Sequence, residues 1–465
     1  MDFRRETLPE LAASVQTGER SAEELVGHAL ARIEALDDRV NAFVALDEAG
    51  AVAAAREIDG AVANGERVGP LAGIPIGVKD LEDAAGFPTT KGSAGFAGQA
   101  PAGEDSLLVE RLRAAGCVVI GKTNTPELGW KPHTDNVTFG HTRNPWDLER
   151  SPGGSSGGSA AAIAAGMVPL ATGSDGGGSL RIPSSLCGLS CLKPSLGRVP
   201  TGGGHAPDWH HLSTRGLLAR TVDDLVQALD IVIGPDPTDL RSLSMPEASW
   251  TAALENAHLP FAVAWSPTLG YAPLDDEVRA VCERAVRSME ELGAKVVDVD
   301  EVFPEDPIEP WLTLTSAYNL RTLEHLIGTE VWDQVDPALA ATVDWARGLS
   351  ALDMVKAEDA CHVLNLRLVQ LFHEVRLLVT PTVAAPPPLL GEPGMINGTP
   401  DLNWVRFTYP FNLTRSPAAT VCAGFTGSGM PVGLQLVGPQ HGDLVVSRAA
   451  AALEHGLGLD PVAPI

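Results

Sequence analysis

The sequence predicts an α/β fold, a sheet covered by helices on both faces, and three observations carry that expectation. Strand-like and helix-like segments alternate over most of the 465 residues. Several strand-like runs are continuously apolar, as strands buried on both faces are. The 48 glycines and 36 prolines punctuate apolar segments instead of gathering in one tract, which is the pattern of a tightly turned fold and not of disorder. No linker-like tract or internal repeat appears, so residues 1–465 are expected to form one domain.

The elements follow in order. Residues 1 to about 60 read as helical. Ser21 and Glu24 fit a capping box, and Leu25, Ala29, Ile33 and Leu36 recur at helical spacing after it. A second helix is expected over Glu48 to Ile58. Leu71 to Asp80 is a short apolar run broken by Gly and Pro, a buried strand entering a turn. A helix over 105–115 precedes a buried strand at Cys117–Ile120. Residues 139–205 are rich in glycine and serine but hold a helix at Ser159–Ala165. Beyond them come a strand at Phe261–Trp265, a helix at Asp275–Leu292, a strand at Lys295–Val299 and a long helix at Val355–Val375. Strands at Leu377–Thr380 and Val432–Val437 and a helix at Leu444–Glu454 complete the series.

Charge and composition remove several function classes. A formal net charge of −26 repels phosphate backbones and anionic lipid heads, which argues against nucleic-acid and membrane-surface partners. The N-terminus has no apolar core of a targeting segment, and the apolar stretch Ala160–Thr172 is too short to span a bilayer. The six cysteines are scattered, so reduced buried thiols in a cytoplasmic protein are expected, with no metal. Gly116 to Thr123 matches the phosphate-loop pattern letter for letter. Its intervening Cys-Val-Val-Ile reads as a strand, where the mechanism needs a loop, so nucleotide binding is rejected.

The chemistry concentrates in Ser151-Pro-Gly-Gly-Ser155-Ser156-Gly-Gly-Ser159 and in Gly173-Ser-Asp-Gly-Gly-Gly-Ser179-Leu-Arg181. A serine directly after three glycines sits beside backbone that can turn several N–H groups toward one point, which is how an oxyanion hole is made. Gly176, Gly177 and Gly178 are the candidate donors and Ser179 the candidate nucleophile. A serine hydroxyl needs a base. None of the 12 histidines stands in a triad-like setting, and no Gly-x-Ser-x-Gly elbow is present. A lysine can serve when burial holds it neutral, and Lys79, following Ile74-Pro-Ile-Gly-Val, is placed for that.

These blocks, with the Gly-Val-Lys-Asp turn, resemble the amidase signature family. Further matching pieces run along the chain, among them Gly121-Lys-Thr-Asn124, Thr142-Arg-Asn-Pro-Trp146, Gly197-Arg198-Val-Pro200, Val379-Thr-Pro-Thr382 and Pro431-Val-Gly-Leu-Gln435. The resemblance implies the amidase signature fold, a large twisted mixed β-sheet covered by helices, with a signature core over about 70–220. It implies Ser179 as nucleophile, Ser155 on a cis peptide as proton relay and Lys79 as base; the family's spacing of 24 between the two serines is met here. It implies amide hydrolysis through an acyl-Ser179 intermediate, with no cofactor. The expected partner is a small-molecule amide, and a homodimer is the default assembly.

Around these residues, Asp175 and Arg181 are expected to orient the nucleophile's loop. Trp130 and His133 fall where relatives line the acyl pocket. His205, Trp209, His210 and His211 are candidates for a second wall. Two rival readings stand. One is the glutaminase (A) subunit of a tRNA-dependent amidotransferase. Proteins of that type carry an Asp two residues before a Phe-Thr element, and here Val405 precedes Phe407-Thr408. The other is a non-catalytic binding protein on the same fold.

Overall fold

Continuous apolar runs become the inner strands of the sheet, and the glycine-serine tract lies across their ends. The computed structural model describes residues 1–204, 206–209 and 211–465. Its strands in chain order are β1 Phe43–Leu46, β2 Pro75–Lys79, β3 Val118–Thr123, β4 Asp135–Asn136, β5 Gly140–His141, β6 Leu170–Asp175, β7 Ser190–Lys193 and β8 Thr214–Ala219. They continue as β9 Ala262–Trp265, β10 Lys295–Asp298, β11 Leu377–Pro381, β12 Gly394–Ile396, β13 Thr399–Asp401, β14 Ala418–Phe425 and β15 Pro431–Val437. Eleven of them form one sheet in the order β1-β3-β2-β6-β8-β7-β14-β15-β11-β9-β10. Parallel pairs join β2 to β3 and β6, and β9 to β10 and β11. The other neighbours run antiparallel, so the sheet is mixed, as expected.

The capping box at Ser21 forms, with Glu24 N donating to Ser21 Oγ at 3.0 Å and Ser21 N donating to Glu24 Oε2 at 2.7 Å. It opens the helix Ala22–Val40, which buries Leu25, Ala29, Ile33 and Leu36. One expectation for this region fails. Phe43–Leu46, inside the stretch that reads as helical, pairs as a strand with β3. Left-handed Asn41 (φ 55°) ends the helix and turns the chain onto the sheet edge. The phosphate-loop lookalike is strand here: Val118–Thr123 is wholly buried in β3, including the Gly-Lys-Thr that a phosphate would need in a turn. All six cysteines are buried and unpaired, and burial pushes every thiol up. Among the described residues no helix is long and apolar enough to cross a membrane.

The parallel register of β2 and β6 positions the candidate residues. Ile76 lies beside Leu170 and Gly77 beside Ala171, so the carboxyl ends of both strands emerge together. That edge is where ligand sites form on parallel strands. Two helices start there: Gly157–Ala164 directly after Ser155 and Ser156, and Arg181–Cys187 two residues after Ser179, with Leu180 between.

Candidate active site

Lys79 is the last residue of β2 and is fully buried. Its amide donates to Thr172 Oγ1 at 2.9 Å, which ties the strand end to β6. Its Nζ lies 2.7 Å from Ser155 Oγ, 2.9 Å from Ser156 Oγ and 3.1 Å from Ser174 Oγ. Burial pushes the amine down to about 7, the Arg215 guanidinium pushes the same way, and Glu82 and Asp175 oppose them. Ser155 follows a cis peptide from Gly154. Ser156 N donates to Ser179 O at 3.3 Å, which joins the two serine blocks through backbone.

Asp175 and Arg181 form a buried pair behind the turn. Arg181 Nε and Nη2 donate to the two Asp175 oxygens at 2.9 and 2.8 Å. Its other three N–H bonds go to Thr408 O, Gln435 Oε1 and Asn412 Oδ1, so all five donors of the guanidinium are used. Burial raises the Asp175 carboxyl, but Arg181, joined by Lys193 and Asn412, holds the group at about 2. The carboxylate also accepts from the amides of Gly178 (2.8 Å) and Leu180 (3.2 Å), one on each side of Ser179. The pair therefore fixes the loop on which Ser179 stands.

That geometry revises the donor set. Gly178 N–H points at Asp175 and so is taken from the expected oxyanion cradle. Among the described residues, no acceptor meets the amides of Gly176, Gly177 and Ser179. Trp311 Nε1 donates to Gly176 O at 2.9 Å. Across a trans peptide the C=O and the next N–H point in opposite directions, so this bond turns Gly177 N–H away from Trp311. Gly178 has φ +133°, and a Cβ there would lie 2.3 Å from Thr408 Oγ1, so only glycine fits.

Two cavities meet at Ser179. A chamber of about 830 Å³ is lined by Gly129, Trp130, His133, Gly177, Ser179, Trp209, Trp311, Trp404, Tyr409 and further residues both apolar and polar, Ile182, Leu312, Lys131 and Asp336 among them. A void of about 30 Å³ on the other side is lined by Leu81, Gly129, Ser155, Ser174, Gly176, Ser179, Trp209 and Arg215. Trp130 and His133 both line the chamber. His133 packs its ring 5.5 Å from that of Trp404, and burial pushes its imidazole down to about 4. Trp209 borders both cavities, whereas His205 and His210 lie outside the described residues. His211 lines neither. Sequence reasoning missed Trp311, Trp404 and Tyr409, which arrive from 132 to 230 positions beyond Ser179 in the chain and carry no local motif. It also missed Ser156 and Ser174 as lysine partners, although both stand inside the two quoted serine blocks.

Comparison with known proteins gives matches over nearly the whole chain. A family model described as Amidase matches residues 24–446. An acylamidase from Rhodococcus erythropolis is 38% identical over 458 residues, covering 96% of this chain and 94% of that protein. The A subunit of a glutamyl-tRNA(Gln) amidotransferase from Chloroflexus aggregans is 34% identical over 466 residues, covering 95% and 94%. The crystal structure of a bacterial aryl acylamidase of the amidase signature enzymes superposes with a TM-score of 0.91 at 29% identity, covering 99% of both chains.

Proposed function

The chain belongs to the amidase signature family, and from that membership we propose that it hydrolyses carboxylic amides through an acyl intermediate on Ser179. The observation that carries the reading is the buried amine of Lys79 at 2.7 Å from Ser155 Oγ. An amine near 7 is largely neutral at slightly alkaline pH. A neutral amine has two N–H bonds and one lone pair. With three hydroxyls around it, one of them donates to nitrogen.

In this reading Lys79 takes the proton of Ser155, and Ser155 takes that of Ser179. Ser179 Oγ then attacks the carbonyl carbon. The oxyanion rests on the amides of Gly176, Gly177 and Ser179. Ser155 returns the proton to the nitrogen, the C–N bond breaks, and water releases the acid from Ser179. Asp175 and Arg181 position the turn without touching substrate.

The glutaminase reading draws on the amidotransferase relatives, and the chamber wall disfavours it. Glutamine brings an ammonium and a carboxylate that need charged partners. Lys131 is already held by Asp135 and Asp336, both at 2.8 Å, and the remaining charged lining residue, Glu392, is an exposed rim residue. A stand-alone cytoplasmic amidase acting on apolar amides fits better. A fluorophosphonate probe tests the nucleophile: labelling mapped to Ser179 by peptide mass spectrometry, and lost in Ser179→Ala, is expected. An unlabelled wild-type protein would point to a binding protein on this fold. Hydrolysis of glutamine that appears only with added amidotransferase partners would favour the rival.

A further inference from the structure

We infer that the site takes primary amides of bulky apolar acids, with the acyl group in the large chamber and ammonia leaving into the small void beside Ser155. The inference rests on the amidase reading above and assigns the two cavities within it.

The two cavities differ about 28-fold in size, about 830 against 30 Å³, and they touch different parts of the machinery. Gly177 borders only the chamber, whereas Ser155 borders only the void. The proton that expels the leaving group comes from Ser155, so the nitrogen must face Ser155 when the C–N bond breaks. That places the nitrogen in the void and the acyl substituent in the chamber. The chamber's aromatic wall of Trp130, Trp209, Trp311, Trp404 and Tyr409 suits an uncharged aryl or alkyl group.

The void holds a group on the scale of one or two waters. An NH2 fits, and a ring on nitrogen does not. Gly129 (φ +70°) borders the void, and a Cβ there would fall 3.0 Å from Ser155 Oγ and 2.8 Å from Leu81 Cδ1, so the void exists because that residue is glycine. On the outer side Arg215 is held by Glu82 at 2.6 Å, and Asp208 lies 3.4 Å from Lys91 and 3.3 Å from Arg321. Both Arg215 and Asp208 also face a polar cleft of about 690 Å³ whose wall carries Glu82, Asp83, Glu104 and Asp105. Ammonia that passes them meets an acidic surface that favours ammonium.

The step balances. The Ser179 Oγ–C bond forms, the C–N bond breaks, and the proton lost by Ser179 reaches nitrogen through Ser155. NH3 departs, and one water then yields the acid and restores Ser179.

The test is a substrate series on the purified protein: 4-phenylbutyramide, its N-benzyl amide, its anilide, and acetanilide. The primary amide is expected to exceed both N-substituted partners in kcat/KM by at least about 100-fold, since a single misfit methylene already costs 10-fold or more. Leu81→Ala, which widens the void, is expected to narrow that ratio. An anilide cleaved as fast as the primary amide, acetanilide above all, would overturn the cavity assignment while leaving amide hydrolysis intact. Failure to cleave any of the four would overturn the amidase reading and this inference with it.

Discussion

Two neighbouring strand ends each bury a lysine, and their surroundings make them different groups. Lys79 closes β2, and Lys122 lies next to it on β3, with Val78 paired to Lys122 and Lys79 to Thr123. Lys122 Nζ donates to Glu82 O at 2.7 Å and to Thr89 Oγ1 at 2.9 Å, and lies 3.2 Å from the Asp80 carboxylate. Burial lowers its basicity, and Asp80 acts to keep its proton on. Lys79 has hydroxyl partners only. A third buried lysine completes the contrast. Lys193 is pushed down to about 7 by burial, then by Arg181, yet its Nζ donates to Pro194 O at 2.9 Å and borders none of the three cavities described above. Lowered basicity is therefore common to all three. Contact with a serine that opens onto a cavity is what sets Lys79 apart.

That contrast can be broken by experiment. The largest effect is expected from Lys79→Ala, a fall in kcat/KM of about 10²–10⁴ at neutral pH, the span of general base catalysis. Lys193→Met should leave kcat/KM near wild type, and equal losses in the two variants would break the distinction. Next comes stability at Lys122. Asp80→Asn strands a buried amine without its carboxylate, and about 3–5 kcal/mol should vanish from the urea unfolding free energy. The smallest effect is the pH dependence. The base must be neutral, and its neutral fraction falls as pH drops through about 7. Thus kcat/KM should level off above that point and lose about tenfold for each unit well below it. A flat profile from pH 5 to 9 would contradict the role given to Lys79.

The parts of the molecule visible in its sequence are those whose chemistry is local. Ser155, Ser179 and Lys79 announce themselves because a glycine turn, a serine pair and an apolar strand end are short patterns. The helix after Ser21 is legible because cap and periodicity sit in one stretch. Four residues give no periodicity of their own, so Phe43–Leu46 merges with its helical surroundings in the sequence, and pairing with β3 decides it. Leu170–Asp175 merges in the same way with the glycine-serine tract, and its strand character comes from β2 and β8 on either side. In sequence the Gly178 amide is no different from its neighbours; Asp175, folding back to accept from it, makes the difference. The chamber's tryptophans depend on contacts across the whole chain, and no spacing rule brings Trp311 or Trp404 to Ser179.

The cysteines carry one further consequence. Each of the six sulfurs is buried and unpaired, and none of them lines the two cavities that meet at Ser179. Thiolates are scarce in such a protein, so air and alkylating reagents find little to attack in the folded state. Handling without reductant should leave the enzyme unchanged, and a chemical tag that does attach will have found something other than sulfur.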